Sequence, residues 1–100
     1  MMVVPLSQVV ESLVTYFINN WNNYIVNIYH PNVIKITYRD IHDVFCKLYP
    51  SECNYGRRQR IPAKVAWIFN YLKYEFELRG YKVEKRKIRG GKTALYIYKP

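Results

Sequence analysis

The sequence predicts a single α+β domain in which helices come first and a β-hairpin follows near the C-terminus. Two observations support this fold class. Apolar residues recur every three or four positions in three separate segments, a spacing typical of amphipathic helices. Two runs rich in β-branched and aromatic residues flank the sequence Arg89-Gly90-Gly91-Lys92, which is typical of a hairpin. One hundred residues, half of them hydrophobic, form at most one domain, residues 1–100, with a small core.

The excess of positive charge lies entirely in the second half of the chain. Residues 1–50 contain three Lys and Arg and three Asp and Glu, whereas residues 51–100 contain thirteen Lys and Arg and four Glu. The net charge of +9 is therefore confined to residues 51–100. We interpret this as a neutral half that packs and a cationic half that faces a polyanion. A generally basic, solubilising surface is the alternative, but it does not explain the segregation.

The first segment is predicted to be helical. Apolar residues from Leu6 to Phe17 follow helical spacing, which indicates a helix from about Pro5 to at least Asn20. We assign residues 5–29 to one N-terminal helical segment, although the four Asn around Trp21 and the β-prone sequence YIVNIY leave the conformation after Asn20 open. The apolar stripe is broader than a small core needs, so it is either ordinary core or a dimer interface.

A short strand and a second helix follow. Residues 33–36 have the composition and alternation of a strand. Thr37 and Asp40 match a capping box, which predicts a helix from about Tyr38 to Leu48 that stops before Pro50. Residues 49–59 contain Pro, Ser, Asn and Gly without periodicity, so we expect a loop there.

Cys46 and Cys53 stand seven residues apart. No CxxC pair or second His/Cys cluster accompanies them, so two free thiols are the expectation. A disulfide that closes the intervening loop is an open alternative. A zinc site is another, because His42 lies one helical turn before Cys46 and His30 is the remaining imidazole for a fourth ligand.

The third predicted helix spans residues 57–79. Pro62 is suited to its first turn, and Gly80 is suited to the left-handed conformation that ends a helix. Its buried stripe is predicted at positions spaced four, three and four apart, namely Val65, Phe69, Leu72 and Phe76. The opposite side carries cations and aromatic residues, namely Arg60, Lys64, Trp67, Tyr71 and Tyr74. A helix with this pattern, entered through Arg57 and Arg58, is a candidate reader of nucleic acid.

Residues 81–88 and 93–98 form the predicted hairpin, and the Gly-Gly pair supplies the positive φ angles that its tip requires. A two-residue loop would pair Ile88 with Thr93. We favour a loop of three or five residues because it places Val83, Leu95 and Ile97 on one face. In any register five cations crowd the tip, namely Lys85, Arg86, Lys87, Arg89 and Lys92. Five unpaired cations cannot be buried in a core, so we expect them to bind an anionic partner outside the domain.

The order of helix, short strand, capped helix, loop, longer helix and basic hairpin resembles that of a winged helix-turn-helix domain, most closely over residues 33–98. The local features of this resemblance are ITYRDI, IPAKVAWIFNYLKYEFELRGYKV and the RGGK tip. The chain looks like the small winged-helix regulators of archaea and their viruses. Its loop of about ten residues before the third helix is longer than the family's short turn.

The resemblance implies a recognition helix at about residues 59–79 in the major groove and a wing at residues 81–98 against the DNA backbone or minor groove. It places Gln59, Arg60, Ala63, Lys64 and Trp67 at the exposed start of that helix, and Arg86, Lys87, Arg89 and Lys92 on the wing. Together with Arg57, Arg58 and Lys85, all of these except Ala63 are the candidate DNA-binding residues.

The leading expectation is sequence-specific binding of double-stranded DNA by a homodimeric transcription regulator, inside the cell and associated with DNA. The dimer contact is expected at the N-terminal helix or at the face of Tyr74 and Leu78. Two alternatives are open: non-specific nucleic-acid binding, by an architectural or single-strand-binding protein, and a winged-helix module for protein interaction. We expect no catalytic residue, cofactor, metal or small-molecule substrate, because no phosphate loop, zinc-hydrolase spacing or nucleophile elbow is present. We expect no membrane segment and no secretory signal either.

Overall fold

The computed structural model describes residues 5–53 and 63–100, and the side chains of Glu52 and of residues 63–67 lie outside that description. The described residues form three α-helices, a four-stranded antiparallel sheet and short 3-10 turns. The helices are α1 (Leu6–Asn19), α2 (Tyr38–Leu48) and α3 (Ala63–Leu78), and the strands are β1 (Ile25–Asn27), β2 (His30–Thr37), β3 (Lys82–Lys87) and β4 (Thr93–Tyr98). The expected α+β class is confirmed. Within this part of the chain, no helix has both the length and the apolar character needed to cross a bilayer.

The sheet has the strand order β1-β2-β4-β3, and each neighbouring pair is antiparallel. Alternation along the strands gives the sheet one buried apolar face, formed by Ile34, Ile36, Val83, Leu95 and Ile97. Residues of all three helices join the same core cluster, among them Leu13, Phe17, Ile41, Phe69, Leu72 and Phe76. The helices therefore pack against one face of the sheet, and the other face is partly exposed.

The N-terminal helix is shorter than the predicted segment 5–29, and that prediction is wrong beyond Asn19. A 3-10 turn at Trp21–Asn23 follows α1, and Ile25–Asn27 is a strand. β1 and β2 form a hairpin whose turn residues are Ile28 and Tyr29, which are 75% and 80% exposed.

Local and long-range interactions together end α1. The side chain of Asn20 donates a hydrogen bond to the Tyr16 carbonyl at 2.9 Å, and the backbone N–H of Asn20 donates to the same oxygen at 2.9 Å. This is the competition between an Asn side chain and the helical backbone that weakens helices at Asn. The residues beyond then gain a strand partner, since Ile25 pairs with Ile34 of β2.

The broad apolar stripe of α1 belongs to the core of the domain. Its members Val9, Val10, Leu13, Val14 and Phe17 are all buried. From residue 8 onward its exposed positions are polar, namely Gln8, Glu11, Thr15 and Asn19. The interpretation of this stripe as ordinary core therefore accounts for it without a second chain.

α2 has the predicted bounds, and its predicted capping box is confirmed. Thr37 Oγ1 accepts a hydrogen bond from the Asp40 backbone N–H at 3.1 Å, and the Asp40 carboxylate accepts one from the Thr37 N–H at 2.9 Å. The strand before it is longer than the predicted residues 33–36, because β2 pairs with β1 on one side and with β4 on the other.

α3 ends at Leu78, and Gly80 beyond it has the predicted left-handed conformation, with φ of +88°. The Tyr81 N–H donates to the Phe76 carbonyl at 3.0 Å, and the Gly80 N–H donates to the Glu77 carbonyl at 3.0 Å, which together make a Schellman motif. The rings of Tyr81 and Phe76 meet edge to face. The predicted first turns of this helix, residues 57–62 with Pro62, lie outside the described residues.

The C-terminal hairpin has the favoured register. Val83 lies opposite Ile97 and Lys87 lies opposite Thr93, so the loop contains the five residues 88–92. Gly90 and Gly91 take φ angles of +79° and +75°, as a tip with a Gly-Gly pair requires.

Cys46 and Cys53 form a disulfide, so the expectation of free thiols is wrong. α2 ends at Leu48, and the 3-10 turn Pro50–Glu52 returns the chain toward the end of the helix. The two Cα atoms are 5.0 Å apart, a separation that a disulfide spans without backbone movement.

Candidate nucleic-acid interface

The five cations predicted at the hairpin tip are distributed over two faces of the sheet. Because side chains alternate along a strand, Lys85 and Lys87 lie on the side of Val83, which faces α3, and Arg86 lies on the opposite side. Arg89 and Lys92 belong to the exposed loop between the strands. The prediction therefore holds for the crowding of charge at this end of the hairpin, but Arg86 faces away from α3.

Four of these cations, Lys85, Lys87, Arg89 and Lys92, are exposed and have no acidic partner among the described side chains. Lys87, Arg89 and Lys92, at the end of the hairpin, make no salt bridge with any carboxylate whose side chain the structure describes, and the ion pairs of those carboxylates involve other basic residues. We call Lys87, Arg89 and Lys92 the wing-tip cations. Exposed cations without a carboxylate partner are suited to contact phosphate, because binding costs them no existing ion pair.

Lys85 links the hairpin to α3. Its Nζ donates a hydrogen bond to Asn70 Oδ1 at 3.1 Å and lies 5.9 Å from the centroid of the Phe69 ring. Asn70 is on the exposed side of α3, next to Tyr71, which is 46% exposed. The hairpin that carries the wing-tip cations is therefore hydrogen-bonded directly to the exposed side of this helix.

The C-terminal half of α3 is electrically balanced. Lys73 pairs with Glu77 at 3.3 Å, and Arg79, just beyond the helix, pairs with Glu75 at 2.7 Å. Both pairs have the i, i+4 spacing that neighbours on a helix surface require. Between them the exposed surface is apolar or aromatic, with Tyr74 at 59% and Leu78 at 62% exposure. This half of the helix has no excess charge to offer a polyanion.

The predicted start of the recognition helix is largely outside the described residues. Arg57, Arg58, Gln59 and Arg60 lie in the segment that is not described, and the side chains of Val65, Lys64 and Trp67 are not described either. The remainder of the predicted stripe is confirmed, because Phe69, Leu72 and Phe76 are fully buried.

A second candidate surface is the face of the sheet that points away from the helices. Tyr96 and Tyr98 lie there on β4, and Arg86 contacts both of them. The Arg86 guanidinium carbon is 4.8 Å from the centroid of the Tyr96 ring, and an Arg86 nitrogen donates to the Tyr98 hydroxyl at 2.9 Å. Lys35 on β2 lies directly opposite Tyr96. This surface combines two half-buried tyrosines with positive charge.

One carboxylate lies within this aromatic surface. Glu84 accepts a hydrogen bond from Arg86 Nε at 2.9 Å and lies 3.6 Å from Lys82 Nζ. The hydrogen bond with Arg86 lowers the pKa of Glu84, and the positive charges of Arg86 and Lys82 add to that effect. Glu84 therefore stays ionised and holds Arg86 over the tyrosines.

The sequence contains a signal for this surface in the alternation of its last strand. In the favoured register Leu95 and Ile97 face the core, so Tyr96 and Tyr98 must face the other way. The alternation in TALYIY therefore predicts two tyrosines side by side on the exposed face of a central strand.

One group of side chains in the described part of the chain has the donor atoms and spacing of a metal site. His42, Cys46 and Cys53 place one ligand atom each within 4.8 Å of the others. They lie at the end of α2, and the two sulfurs are joined as a disulfide.

No protein-family model, curated protein or solved structure matches this chain. Its function is therefore inferred from the positions and chemistry of its own residues.

Proposed function

We propose that this protein is a winged-helix DNA-binding regulator that places α3 in the major groove and the β3–β4 hairpin, as the wing, against the backbone. The observation that carries the proposal is the set of wing-tip cations, which have no acidic partner among the described residues and extend from a strand bonded to α3 through Lys85 and Asn70. A helix that reads bases and a basic hairpin that contacts phosphates is the division of labour expected of specific binding to duplex DNA.

The two halves of α3 favour different partners. The charge-balanced C-terminal half presents Tyr74 and Leu78, which suit a protein contact better than a phosphate contact. We therefore assign the homodimer contact to this half and the DNA contact to the N-terminal half, where the sequence has Gln59, Arg60 and Lys64. The other candidate for a dimer contact, α1, has its apolar stripe buried in its own domain.

A pair of charge-matched variants tests the wing. Arg89→Ala with Lys92→Ala removes two cations from the tip, whereas Arg39→Ala with Lys47→Ala removes the same two residue types from the exposed surface of α2. The slope of log affinity against log salt concentration for a duplex is negative, and we expect the wing variant to make it less steep by about 1.8, at about 0.9 per lost phosphate contact. The control should leave that slope unchanged.

An equal loss of duplex affinity in both variants would mean that net charge alone drives binding and would refute a specific contact by the wing. An unchanged affinity in the wing variant would refute it as well. A selection from random duplexes completes the test, because a dimer of the proposed kind enriches palindromic sites. Leu78→Asp should then leave the protein folded but convert a dimer to a monomer in analytical ultracentrifugation.

A second candidate function is the binding of single-stranded nucleic acid on the exposed face of the sheet. The observation that favours it is the stacking of Arg86 on Tyr96, since bases stack on aromatic rings and on guanidinium planes alike. Tyr96→Leu should weaken binding of a single-stranded oligonucleotide by roughly tenfold without affecting duplex binding. Tyr71→Leu on α3 is the control, and an equal effect of both variants would exclude the sheet as the site.

A further inference from the structure

The disulfide at the end of α2 has a third potential ligand beside it. His42 lies one helical turn before Cys46, and its Nε2 is 3.5 Å from Cys46 Sγ. Cys53 reaches the same place from the 3-10 turn after the helix, and all three ligand atoms lie within 4.8 Å of one another. These contacts bring an imidazole and two sulfurs together at one point of the surface.

This set of donors matches the preferences of zinc. One imidazole nitrogen and two thiolates are a common part of tetrahedral zinc sites. Around such an ion the ligand atoms are about 3.5 to 3.8 Å apart, as bond lengths of about 2.0 to 2.3 Å require. His42 Nε2 and Cys46 Sγ already have this separation. The two sulfurs need to move apart by roughly 2 Å once their bond is broken, since a disulfide holds them at about 2.0 Å.

The orientation of His42 leaves the correct nitrogen available. Its Nδ1 lies on the side of Asp43, 4.0 Å from Oδ1, so Nε2 is the atom directed at the sulfurs. A zinc-bound histidine usually donates a hydrogen bond from its far nitrogen to a carboxylate, a carbonyl or water, which fixes the ring. Asp43 at 4.0 Å is beyond hydrogen-bond distance and would have to approach Nδ1 to take this role. The His42 side chain is 24% exposed, which leaves room for a water molecule as the fourth ligand.

We propose that reduction of the Cys46–Cys53 disulfide creates a zinc site formed by His42, Cys46, Cys53 and one water molecule. In the first step a dithiol or phosphine reductant supplies two electrons, and the sulfurs take up two protons to become thiols. In the second step the thiols bind Zn²⁺ as thiolates and release two protons to solvent. The two thiolates balance the charge of the ion, so the site is electrically neutral.

The disulfide and the zinc site are mutually exclusive states that hold the same residues together. Each joins the end of α2 to Cys53, and Cys53 is four residues before Arg57 at the start of the predicted DNA-contacting segment. Bound zinc also protects the thiolates from re-oxidation, because both sulfurs are then bonded to the ion. The site shares no residue with the wing or with the exposed face of the sheet, so it does not depend on the proposed function.

The test uses the full chain, reduced with a phosphine and kept without oxygen, and Co²⁺ as a visible substitute for Zn²⁺. We expect one Co²⁺ per chain, with a thiolate-to-cobalt charge-transfer band and the intense visible bands of a tetrahedral site, both lost when Zn²⁺ displaces the cobalt. The oxidised protein should give neither band. A reduced wild-type protein that gives no such spectrum would overturn the proposal.

Two histidine variants identify the nitrogen ligand, since the chain has two histidines. His42→Ala should weaken Co²⁺ binding by more than about tenfold and shift the visible bands, because a water replaces the imidazole. His30→Ala on β2 should bind as the wild type does. Circular dichroism shows whether each variant is folded. Cys53→Ser leaves the sequence of α2 intact and should weaken the charge-transfer band, because only one thiolate remains to bind the ion. Identical titrations for His42→Ala and the wild type would exclude His42 and refute the site.

Discussion

Lys85 of β3 donates a hydrogen bond to the side chain of Asn70 on α3, with Nζ 3.1 Å from Oδ1. Among the described residues this is the side-chain hydrogen bond that joins the C-terminal hairpin to α3. Asn70 is neutral, so the charge of Lys85 is not cancelled by this contact. The bond therefore adds a direct link between the hairpin and the helix while leaving the positive charge of Lys85 intact.

Asn70→Ala should separate the role of this hydrogen bond in placing the hairpin from the role of the charge on Lys85. We expect duplex affinity to fall by about threefold with an unchanged salt slope, because no cation is lost. Lys85→Met, which keeps most of the apolar stem, should lower the slope as well if Lys85 also contacts a phosphate. The free energy of unfolding of both variants should lie within about 0.5 kcal/mol of the wild-type value, since the contact is exposed. Fluorescence anisotropy of a labelled duplex at several salt concentrations measures the binding.

Thr37→Ala should reduce the free energy of unfolding by about 1 kcal/mol. The substitution removes the hydroxyl that accepts from the Asp40 N–H and so leaves one donor of the first turn of α2 without its cap. Thr37→Ser is the matched control because it retains the hydroxyl. Urea unfolding followed by circular dichroism gives both values, and equal stabilities of the two variants would show that the capping box contributes nothing.

Gly80→Ala should cost about 1 kcal/mol of stability for a purely conformational reason. A Cβ at Gly80 meets no atom within 4 Å, so the penalty arises from the φ of +88° and not from a clash. Gly80→Asn should cost less, because Asn tolerates the left-handed region better than Ala does. If Asn were as destabilising as Ala, the left-handed cap would not be the cause.

Tyr24 should make the protein sensitive to alkali. Burial, together with the neighbouring Tyr16, raises the pKa of Tyr24 to about 12, against 10.0 for an ordinary tyrosine. The folded state holds this proton more tightly than the unfolded state does, so the contribution of Tyr24 is complete below pH 10 and is lost as the pH rises toward 12.

Thermal unfolding between pH 7 and pH 12 checks this expectation. Tyr24→Phe should lose less stability than the wild type over the upper part of that range, because the variant has no proton to release there. Tyr29→Phe, at the exposed turn between β1 and β2, is the control and should follow the wild type. Parallel curves for all three proteins would contradict the assignment.

Much of the fold was predictable where the signal is local. The bounds of α2 follow from Thr37, Asp40 and Pro50, which act within a few residues of the helix ends. The end of α3 was likewise predictable from Gly80, which lies two residues beyond the last helical position. The hairpin register followed from one requirement, that Val83 and Ile97 share the buried face.

The parts that were missed depend on distant partners. β1 is too short to be recognised from its own three residues, and it is a strand because β2 lies beside it. The disulfide required the turn at Pro50–Glu52, whose geometry a spacing of seven residues does not reveal. For the candidate site, the sequence predicted the concentration of cations at the hairpin. The separation of Arg86 from Lys85 and Lys87 follows from alternation in the predicted register, whereas the contact of Arg86 with Glu84 was not predicted from the sequence.

The position of β4 has a consequence for how the chain is made. β4 lies in the middle of the sheet, yet it is the last of the four described strands in the sequence, and its partners on β2 are about sixty residues earlier. Until residues 93–98 leave the ribosome, β2 pairs with the short β1 alone, and Ile34 and Ile36 lack their neighbours Ile97 and Leu95 on the buried face of the sheet. We therefore expect this domain to complete its fold only after Thr93–Tyr98 has left the ribosome, and a chain truncated before Thr93 to be a target for proteases.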